Sequence, residues 1–198
     1  MNWLQPVTLV GEHAELHPLS QTHGPDLAEA VSDGRLWELW YTTCPHPDEM
    51  ESEIARRIDL FDSGSMLPFA VMTPEGKAVG MTTLMHADAR YKRVEIGSTW
   101  YAASYQRTAV NTQCKLLLLS HAFTKLDCIA VELRTSSVNR GSRAAIERLG
   151  AKLDGVLRHH QRHRNGTLRD TCVYSIIEAE WPTVQANLES ALGRRASK

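Results

Sequence analysis

A strand, a helix and a second strand follow one another in the middle of the chain, and this order limits the folds open to it. Strand-forming residues run from Arg93 to Tyr101, apolar residues at helical spacing run from Thr112 to Leu126, and a β-rich run extends from Cys128 to Arg134. The helical segment has the broad apolar surface expected of a helix that packs on a sheet. The centre of the molecule is therefore expected to be a sheet with one helix crossing over it.

Antiparallel pairs are predicted on both sides of this unit. The last pair turns at Asn165-Gly166, which is the strongest local signal in the chain and is typical of a tight hairpin. The predicted pairs are Val7 to Val10 with Ala14 to Leu19, Pro68 to Thr73 with Ala78 to Met85, and Gly155 to Arg164 with Leu168 to Ile177. The pattern indicates the α/β class, with a mixed, mostly antiparallel twisted sheet flanked by helices.

Helix signals occur at four further places. Pro47-Asp48-Glu49 predicts a helix start, and short helices are expected over Asp26 to Val31 and Ser142 to Leu149. A last helix opens at Pro182 and carries apolar residues every four positions, namely Val184, Leu188 and Leu192. These residues can pack internally or against a second copy, which leaves a homodimer open. Because no linker or repeat divides the 198 residues, we expect one domain over residues 1–198.

The composition excludes several classes of protein. Hydrophobic residues make up 42% of the chain, enough for a sizeable core and too many for a disordered chain. The net charge of −1 gives no general attraction to nucleic acid or to an anionic membrane. No apolar run exceeds Leu116 to Leu119, whereas a membrane-spanning helix needs roughly 20 such residues. Met1 to Pro6 lacks the features of a secretory signal, so we expect a cytoplasmic protein without membrane or nucleic-acid partners.

The spacing of cysteine and histidine argues against disulfides and metal. The four cysteines, Cys44, Cys114, Cys128 and Cys172, are far apart and are expected to be reduced core thiols. His159 and His160 face opposite sides of a strand, and no thiol lies near them, so no metal site is predicted. The cationic segment Arg158 to Arg169 can attract an acidic substrate or RNA, but a solvated hairpin tip is the more frequent explanation.

The junction between the central strand and its helix can form an anion site. The stretch Glu95-Ile96-Gly97-Ser98-Thr99-Trp100 is followed by Gln106-Arg107-Thr108-Ala109-Val110-Asn111 and then by the helix from Thr112. The first amides of a helix have no partner within it, and its dipole makes this end positive. A diphosphate would fit there. An ordinary strand-to-helix turn explains the same residues.

These segments resemble the GCN5-related N-acetyltransferase (GNAT) family, specifically its RimJ/RimL-type branch. Glu95 to Trp100 is similar to the family's central strand, and Gln106 to Asn111 occupies the place of its pyrophosphate loop. Asn139 and Ser142, followed by Glu147 to Ala151, resemble the element that comes next. The resemblance implies a GNAT-like fold, acetyl-CoA as co-substrate and direct acetyl transfer to a primary amine, either a protein N-terminus or a small molecule.

The resemblance also implies which residues bind the coenzyme. They are Trp100, Gln106, Arg107, Thr108, Ala109, Val110, Asn111, Thr112, Asn139 and Ser142. The chain departs from the family pattern in three places. Ala109 replaces the first glycine of the loop, Asn111 stands where glycine or alanine is usual, and Ile146 stands where many relatives carry a tyrosine as general acid. An alanine methyl fits the loop if the backbone there avoids positive φ. These departures motivate an alternative, a catalytically weak acyl-CoA-binding regulatory protein with the same fold.

Acetyl transfer requires a base, a hydrogen-bond donor to the thioester oxygen and a donor near the sulfur. Glu95 is the first choice for the base, because amines are mostly protonated at neutral pH. The resemblance places the donor to the oxygen near Thr99 or Trp100, at an irregularity in the strand. Ser142 or Tyr174 can serve the sulfur.

Each catalytic candidate also has a structural explanation. Glu95 can pair with Arg93 or Lys92 on an exposed strand, Ser142 can cap a helix, and Tyr174 can be a core tyrosine with a bonded hydroxyl. The aromatic residues Trp37, Trp40 and Tyr41 can line an acceptor pocket or belong to the core.

Overall fold

Eight strands form one sheet in the computed structural model, which describes residues 3–196. In chain order the strands are β1 (Leu9–Val10), β2 (Glu15–Pro18), β3 (Met66–Met72), β4 (Ala78–Asp88), β5 (Arg93–Tyr101), β6 (Ala130–Ser136), β7 (Lys152–Arg162) and β8 (Leu168–Ile177). The spatial order is β1-β2-β3-β4-β5-β6-β8-β7. Only β5 and β6 run parallel among the pairs in this sheet, which confirms the predicted mixed, mostly antiparallel α/β fold.

Five α-helices flank the sheet within residues 3–196. They are α1 (Gly24–Ser32), α2 (Met50–Asp62), α3 (Ala109–Thr124), α4 (Arg140–Arg148) and α5 (Trp181–Ala196). The predicted start at Pro47 is a single 3₁₀ turn, Pro47–Glu49, that leads directly into α2. No helix among the described residues has the length and apolar character needed to cross a bilayer.

The two faces of the sheet carry separate hydrophobic clusters. One cluster joins α3 and α5 to the sheet and includes Val94, Ile96, Leu118 and Tyr174. The other lies under α1 and α2 and includes Met81 and Trp100, among others. Side chains that alternate along β4 and β5 therefore serve opposite faces. This separation determines which candidate residues can share a site.

The last helix packs against its own chain. Val184, Leu188 and Leu192 are buried, and the ring of Trp181 stacks on Phe123 of α3 with centroids 5.3 Å apart. The apolar stripe predicted for this helix is thus covered by α3 and needs no second copy. The four cysteines are buried free thiols, as expected from the sequence. Burial raises the pKa of Cys44 to about 11 and that of Cys128 to about 12, so both are protonated near neutral pH.

Candidate functional site

The parallel strands β5 and β6 separate after three residue pairs. Arg93 pairs with Ala130, Val94 with Val131 and Glu95 with Glu132, and there the pairing stops. Beyond this point β5 continues beside β4 as far as Tyr101, and β6 continues beside β8 as far as Ser136. The two strands therefore leave a wedge between them, and their facing backbone groups have no strand partner there. A ligand with amide groups could pair with this edge.

A β-bulge interrupts β5 beside the wedge. Gly97 is opposite Thr83 and Trp100 is opposite Met81, so the single residue Thr82 faces both Ser98 and Thr99. Ser98 has a φ of 48°, which marks the bulge in the backbone. This is the irregularity that the resemblance predicted for this strand.

The bulge decides which amide faces the wedge. The N–H of Ala102 donates to the carbonyl of Val79 at 2.9 Å, so alternate residues of this part of β5 bond to β4. Trp100 is two residues before Ala102 and lies opposite Met81, so its N–H is also directed at β4. Alternation from Trp100 then predicts that the N–H of Thr99 is directed the other way, toward the wedge. Of the two donor positions predicted, the geometry favours Thr99.

Helix α3 begins three residues earlier than predicted, at Ala109 instead of Thr112. The reason is a cap: the N–H of Val110 donates to Oγ1 of Thr108 at 3.3 Å, and that hydroxyl donates to the carbonyl of Tyr105 at 2.7 Å. Arg107, with a φ of 61°, takes the left-handed conformation at the turn, whereas Ala109 is helical. The alanine methyl therefore causes no strain, and α3 keeps the positive helix end at which an anion can bind.

The segment Asn139 to Ser142 forms the start of α4. Oδ1 of Asn139 accepts the N–H of Ser142 at 3.0 Å, so Asn139 is the N-cap and Ser142 lies inside the first turn. The idea that Ser142 caps this helix was wrong, because α4 begins at Arg140, two residues earlier than predicted, and the residue that precedes its first turn is Asn139. Ile146, in place of the family's tyrosine, is buried in the core.

Tyr174 is held on the α4 side of the sheet. Its side chain is fully buried, its hydroxyl donates to Oε1 of Glu147 at 2.7 Å, and it accepts Nε of Arg143 at 2.9 Å. Burial, together with the bond to Glu147, raises the pKa of Tyr174. The structural explanation, a core tyrosine with a bonded hydroxyl, is therefore confirmed.

Glu95 projects from the opposite face of the sheet. Its carboxylate is largely buried and contacts Nδ1 of His86 at 2.8 Å and Nε of Arg134 at 3.3 Å. The predicted partners Arg93 and Lys92 were wrong, since Arg93 bonds Glu132 and Lys92 bonds Asp127. Neither His86 nor Arg134 belongs to a sequence motif. His86 reaches Glu95 because a bulge in β4, where His86 has a φ of 48°, turns its side chain toward β5.

A glycine makes room for the Glu95 carboxylate. A Cβ atom at Gly97 would lie 3.0 Å from Oε1 of Glu95 and 2.7 Å from Sδ of Met85. Glu95 is thus the last residue of β5 paired with β6 before the wedge, and its carboxylate lies over Gly97. Tyr174 and Ser142 lie on the other face, so the structure does not place the three catalytic candidates in contact and any cooperation between them must pass through a substrate in the wedge.

Charged side chains continue from Glu95 across β6. Glu132 accepts bonds from Arg93 and Arg134, both at 2.7 Å. Although burial acts to raise it, these bonds hold the pKa of Glu132 below its ordinary value. Within the described residues no three His, Cys, Asp or Glu side chains converge in the way a metal ion requires.

The hairpin between β7 and β8 closes over the aromatic loop. Trp40 stacks edge-on against His163 with centroids 4.9 Å apart, and Arg164 donates to the carbonyls of Trp37 and Cys44, each at 3.2 Å. The description of this segment as a solvated hairpin tip was therefore wrong for His163, which is buried, whereas Arg164 is exposed and bonds the aromatic loop from the surface. Trp40 is 41% exposed, so it is not a core residue. This arrangement forms one end of the sheet face that carries Glu95.

Two buried cations next to the bulge have no counterpart in the sequence interpretation. Arg57 of α2 is 3% exposed and donates to Oγ1 of Thr83 at 3.1 Å and to the carbonyl of Ser98 at 3.3 Å. Lys115 of α3 is 6% exposed and donates to Oγ1 of Thr99 at 3.2 Å. Both residues lie in segments whose apolar spacing predicts a helix. Nothing in the neighbouring sequence indicates that their charged ends point toward β5.

Comparisons with known proteins agree with this geometry. The model of the acetyltransferase (GNAT) domain matches residues 13–152. YdaF of Bacillus subtilis (strain 168), named as a ribosomal N-acetyltransferase, is 30% identical over 107 residues, which are 54% of this chain and 57% of YdaF. The match thus spans little more than half the length of that relative.

Solved structures extend the similarity over nearly the whole chain. A GCN5-related N-acetyltransferase from Brucella melitensis is 28% identical, with a TM-score of 0.85, over 96% of this chain and 86% of that one. RimJ of Mycobacterium smegmatis, solved with CoA-disulfide, shares the fold at 22% identity and a TM-score of 0.80, over 94% of this chain and 95% of its own. The family match contains the wedge, the bulge and the start of α3, and the chain belongs to the GNAT acetyltransferase family.

Proposed function

We propose that this protein is an acetyl-CoA-dependent N-acetyltransferase that acts on a primary amine, by preference the N-terminus of a protein in the cytoplasm. The observation that carries the proposal is the wedge between β5 and β6 beside the N-terminus of α3. A coenzyme needs a site for two phosphates and an extended slot for its amide-bearing arm. This chain offers both, next to each other.

The coenzyme would be held largely by backbone groups. The amides at the start of α3, at the positive end of the helix, would face the pyrophosphate. Two N–H groups of this segment already have partners, because Gln106 donates to the carbonyl of Ala103 and Val110 donates to Oγ1 of Thr108. The pantetheine arm would pair with the free edge of β5 like an added strand. Asn139 uses its side-chain oxygen as a cap, so its contact with the coenzyme would come from its amide nitrogen. This assignment is supported by the family match and by RimJ, which was solved with a coenzyme derivative.

The reaction joins the amine nitrogen to the acetyl carbonyl carbon and releases the coenzyme thiolate. Glu95 would accept the proton that the amine loses, directly or through one water. The N–H of Thr99 would donate to the carbonyl oxygen as it gains negative charge. For the sulfur we favour Ser142, which is part-exposed on the first turn of α4, over Tyr174, whose hydroxyl is already bonded to Glu147.

A protein N-terminus is favoured as the acceptor because part-exposed charged side chains surround Glu95 on its face of the sheet. Arg134, Glu132 and Arg93 form a chain of charges across it, and Trp40 with His163 borders one end. Such a surface can bond the peptide groups behind an α-amine. The name of YdaF, a ribosomal N-acetyltransferase, supports an acceptor of this kind.

The proposal is tested by acetyl transfer from labelled acetyl-CoA to two panels, short peptides with free α-amines and small-molecule amines. We expect turnover with a peptide that is lost when its N-terminus is blocked, while internal lysines remain unmodified. Turnover limited to small amines would reject the protein acceptor. Tight binding of acetyl-CoA without turnover on either panel would favour the alternative, a regulatory acyl-CoA-binding protein.

A further inference from the structure

Lys115 is a buried cation without an anion. It extends from α3 toward β5, is 6% exposed, and forms no ion pair with a carboxylate among the described residues. Its hydrogen bond goes to a neutral hydroxyl, Oγ1 of Thr99, at 3.2 Å. A buried ammonium in this state costs stability, because it has lost its hydration and gained no opposite charge. A methionine or leucine would fill the same space without this desolvation cost.

The contact is made at the bulge. Oγ1 of Thr99 also lies 2.7 Å from Oγ1 of Thr82 and 3.3 Å from the carbonyl of Gly97. Thr82 is the residue of β4 that faces both bulged residues. The ammonium, two hydroxyls and one carbonyl therefore form a small buried network that fixes the backbone on both sides of Ser98. This network lies on the α3 face of the sheet, opposite the side from which Arg57 holds the carbonyl of Ser98.

The network brings a positive charge close to the wedge. The hydroxyl of a threonine lies about 3 Å from its own amide nitrogen, so the ammonium of Lys115 is within about 6 Å of the Thr99 N–H. An oxyanion bonded to that N–H would be separated from the charge by protein and not by water. The attraction between two charges is much stronger through protein than through water. The interaction grows as negative charge develops on the oxygen, which is the condition for catalysis.

We propose that Lys115 is a positioning residue for acyl transfer, which fixes the bulge through Thr99 and places a buried positive charge behind the oxygen of the thioester. The inference rests on the proposed function and adds a residue to its machinery. Lys115 does not touch the substrate. Its effect reaches the reacting carbonyl through the orientation of the Thr99 N–H and through the electric field at the oxygen.

The test compares Lys115→Met with the wild-type protein in steady-state kinetics. We expect kcat to fall about tenfold to a hundredfold, less than for loss of a direct oxyanion donor, with the KM for acetyl-CoA changed by less than about threefold. Thr99→Val should give most of the same loss, and the double variant should be little worse than either single one, because the two side chains act together.

A spectroscopic measurement separates this role from a structural one. The carbonyl stretch of ¹³C-labelled acetyl-CoA, bound without an amine, should lie at lower frequency in the wild-type protein than in solution, and Lys115→Met should move it back toward the solution value. Cys114→Ala is the matched control, since Cys114 is the buried neighbour of Lys115 on α3. That variant should unfold at lower urea concentration and leave both kcat and the carbonyl band unchanged.

The outcomes are distinguishable. A wild-type protein that binds no acetyl-CoA would overturn the proposed function and this inference with it. Binding by the wild-type protein, with kcat and carbonyl band the same in Lys115→Met, would overturn the inference alone. Should kcat fall in Lys115→Met only as far as in Cys114→Ala, with no shift of the band, the role of Lys115 would be structural and the inference wrong.

Discussion

Replacing Lys115 with methionine should change how the stability of the protein depends on alkaline pH. Burial lowers the pKa of Lys115 from 10.5 to about 8. Between these two values the unfolded chain binds a proton that the native protein has released, so the free energy of unfolding rises with pH in this window. At roughly 1.4 kcal/mol per pH unit, the buried ammonium costs on the order of 3 kcal/mol below pH 8, and this cost disappears by about pH 10.5.

Other groups act in the opposite direction and must be cancelled. Burial raises the pKa of Cys44 to about 11 and of Cys114 to about 12, so the unfolded chain loses these thiol protons first and stability falls as pH rises. Both thiols are present in the wild-type protein and in Lys115→Met. The difference between the two proteins therefore isolates the lysine.

Urea unfolding of both proteins from about pH 7 to about pH 10 measures that difference. We expect Lys115→Met to be the more stable protein at pH 7. The difference in the free energy of unfolding should be on the order of 3 kcal/mol, reduced by the contribution of the lost hydrogen bond to Thr99. Its advantage should shrink steadily as pH rises through the window. A constant difference across the whole range, or a wild-type protein that is the more stable at pH 7, would refute the reasoning.

Three further substitutions test the site. Glu95→Gln keeps the shape of the side chain but removes the base, and should lower kcat/KM about a hundredfold to a thousandfold. The affinity for acetyl-CoA, measured by calorimetry, should be unchanged. A loss of kcat/KM below about tenfold would exclude Glu95 as the base. Arg57→Met removes the hydrogen bonds to Ser98 and Glu53, and should lower the free energy of unfolding in urea by about 2 to 4 kcal/mol. A decrease below about 1 kcal/mol would show that the bulge is stable without Arg57. Ser142→Ala should lower kcat more than Tyr174→Phe does. Tyr174→Phe should cost more stability, about 1 to 2 kcal/mol, because the hydroxyl of Tyr174 is bonded to both Glu147 and Arg143. The reverse order in kcat would identify Tyr174 as the donor to the sulfur.

Three of the antiparallel pairs could be predicted because each hairpin has its own local signal. Asn165-Gly166 marks the turn of the last hairpin, a three-residue loop in which Gly166 has a φ of 82°, and the predicted span Leu168–Ile177 is that of β8. The start of α3 was placed three residues late because Ala109 to Asn111 were taken for a loop. The cap that extends the helix is the hydroxyl of Thr108, a residue type that is common in turns as well as at caps.

The partners of Glu95 could not be predicted from the sequence. Its nearest charges along the chain, Lys92 and Arg93, bond to Asp127 and Glu132, while its actual partners come from a bulge and a neighbouring strand. Bulges change which residues face each other, and no residue pattern in β4 or β5 specifies their position. The same limit applies to Lys115, whose charged end is visible only once α3 is packed on the sheet.

The three departures from the family pattern have different consequences. Ala109 is harmless, since the left-handed residue of the turn is Arg107 and a helical alanine is favourable. Asn111 lies in the first turn, where its side chain points away from the helix axis and leaves the amides accessible. Ile146 fills core space, so the chain has no tyrosine at that place in α4. A thiolate leaves readily, and the loss of this acid is compatible with turnover.

A crystal structure of the protein with coenzyme A bound tests the central claim most directly. The account predicts the two phosphates on the amides between Gln106 and Thr112, and the pantetheine amides paired with the edge of β5 in the wedge beside β6. Phosphates held elsewhere, or a wedge that stays empty while the coenzyme binds on another face, would contradict it.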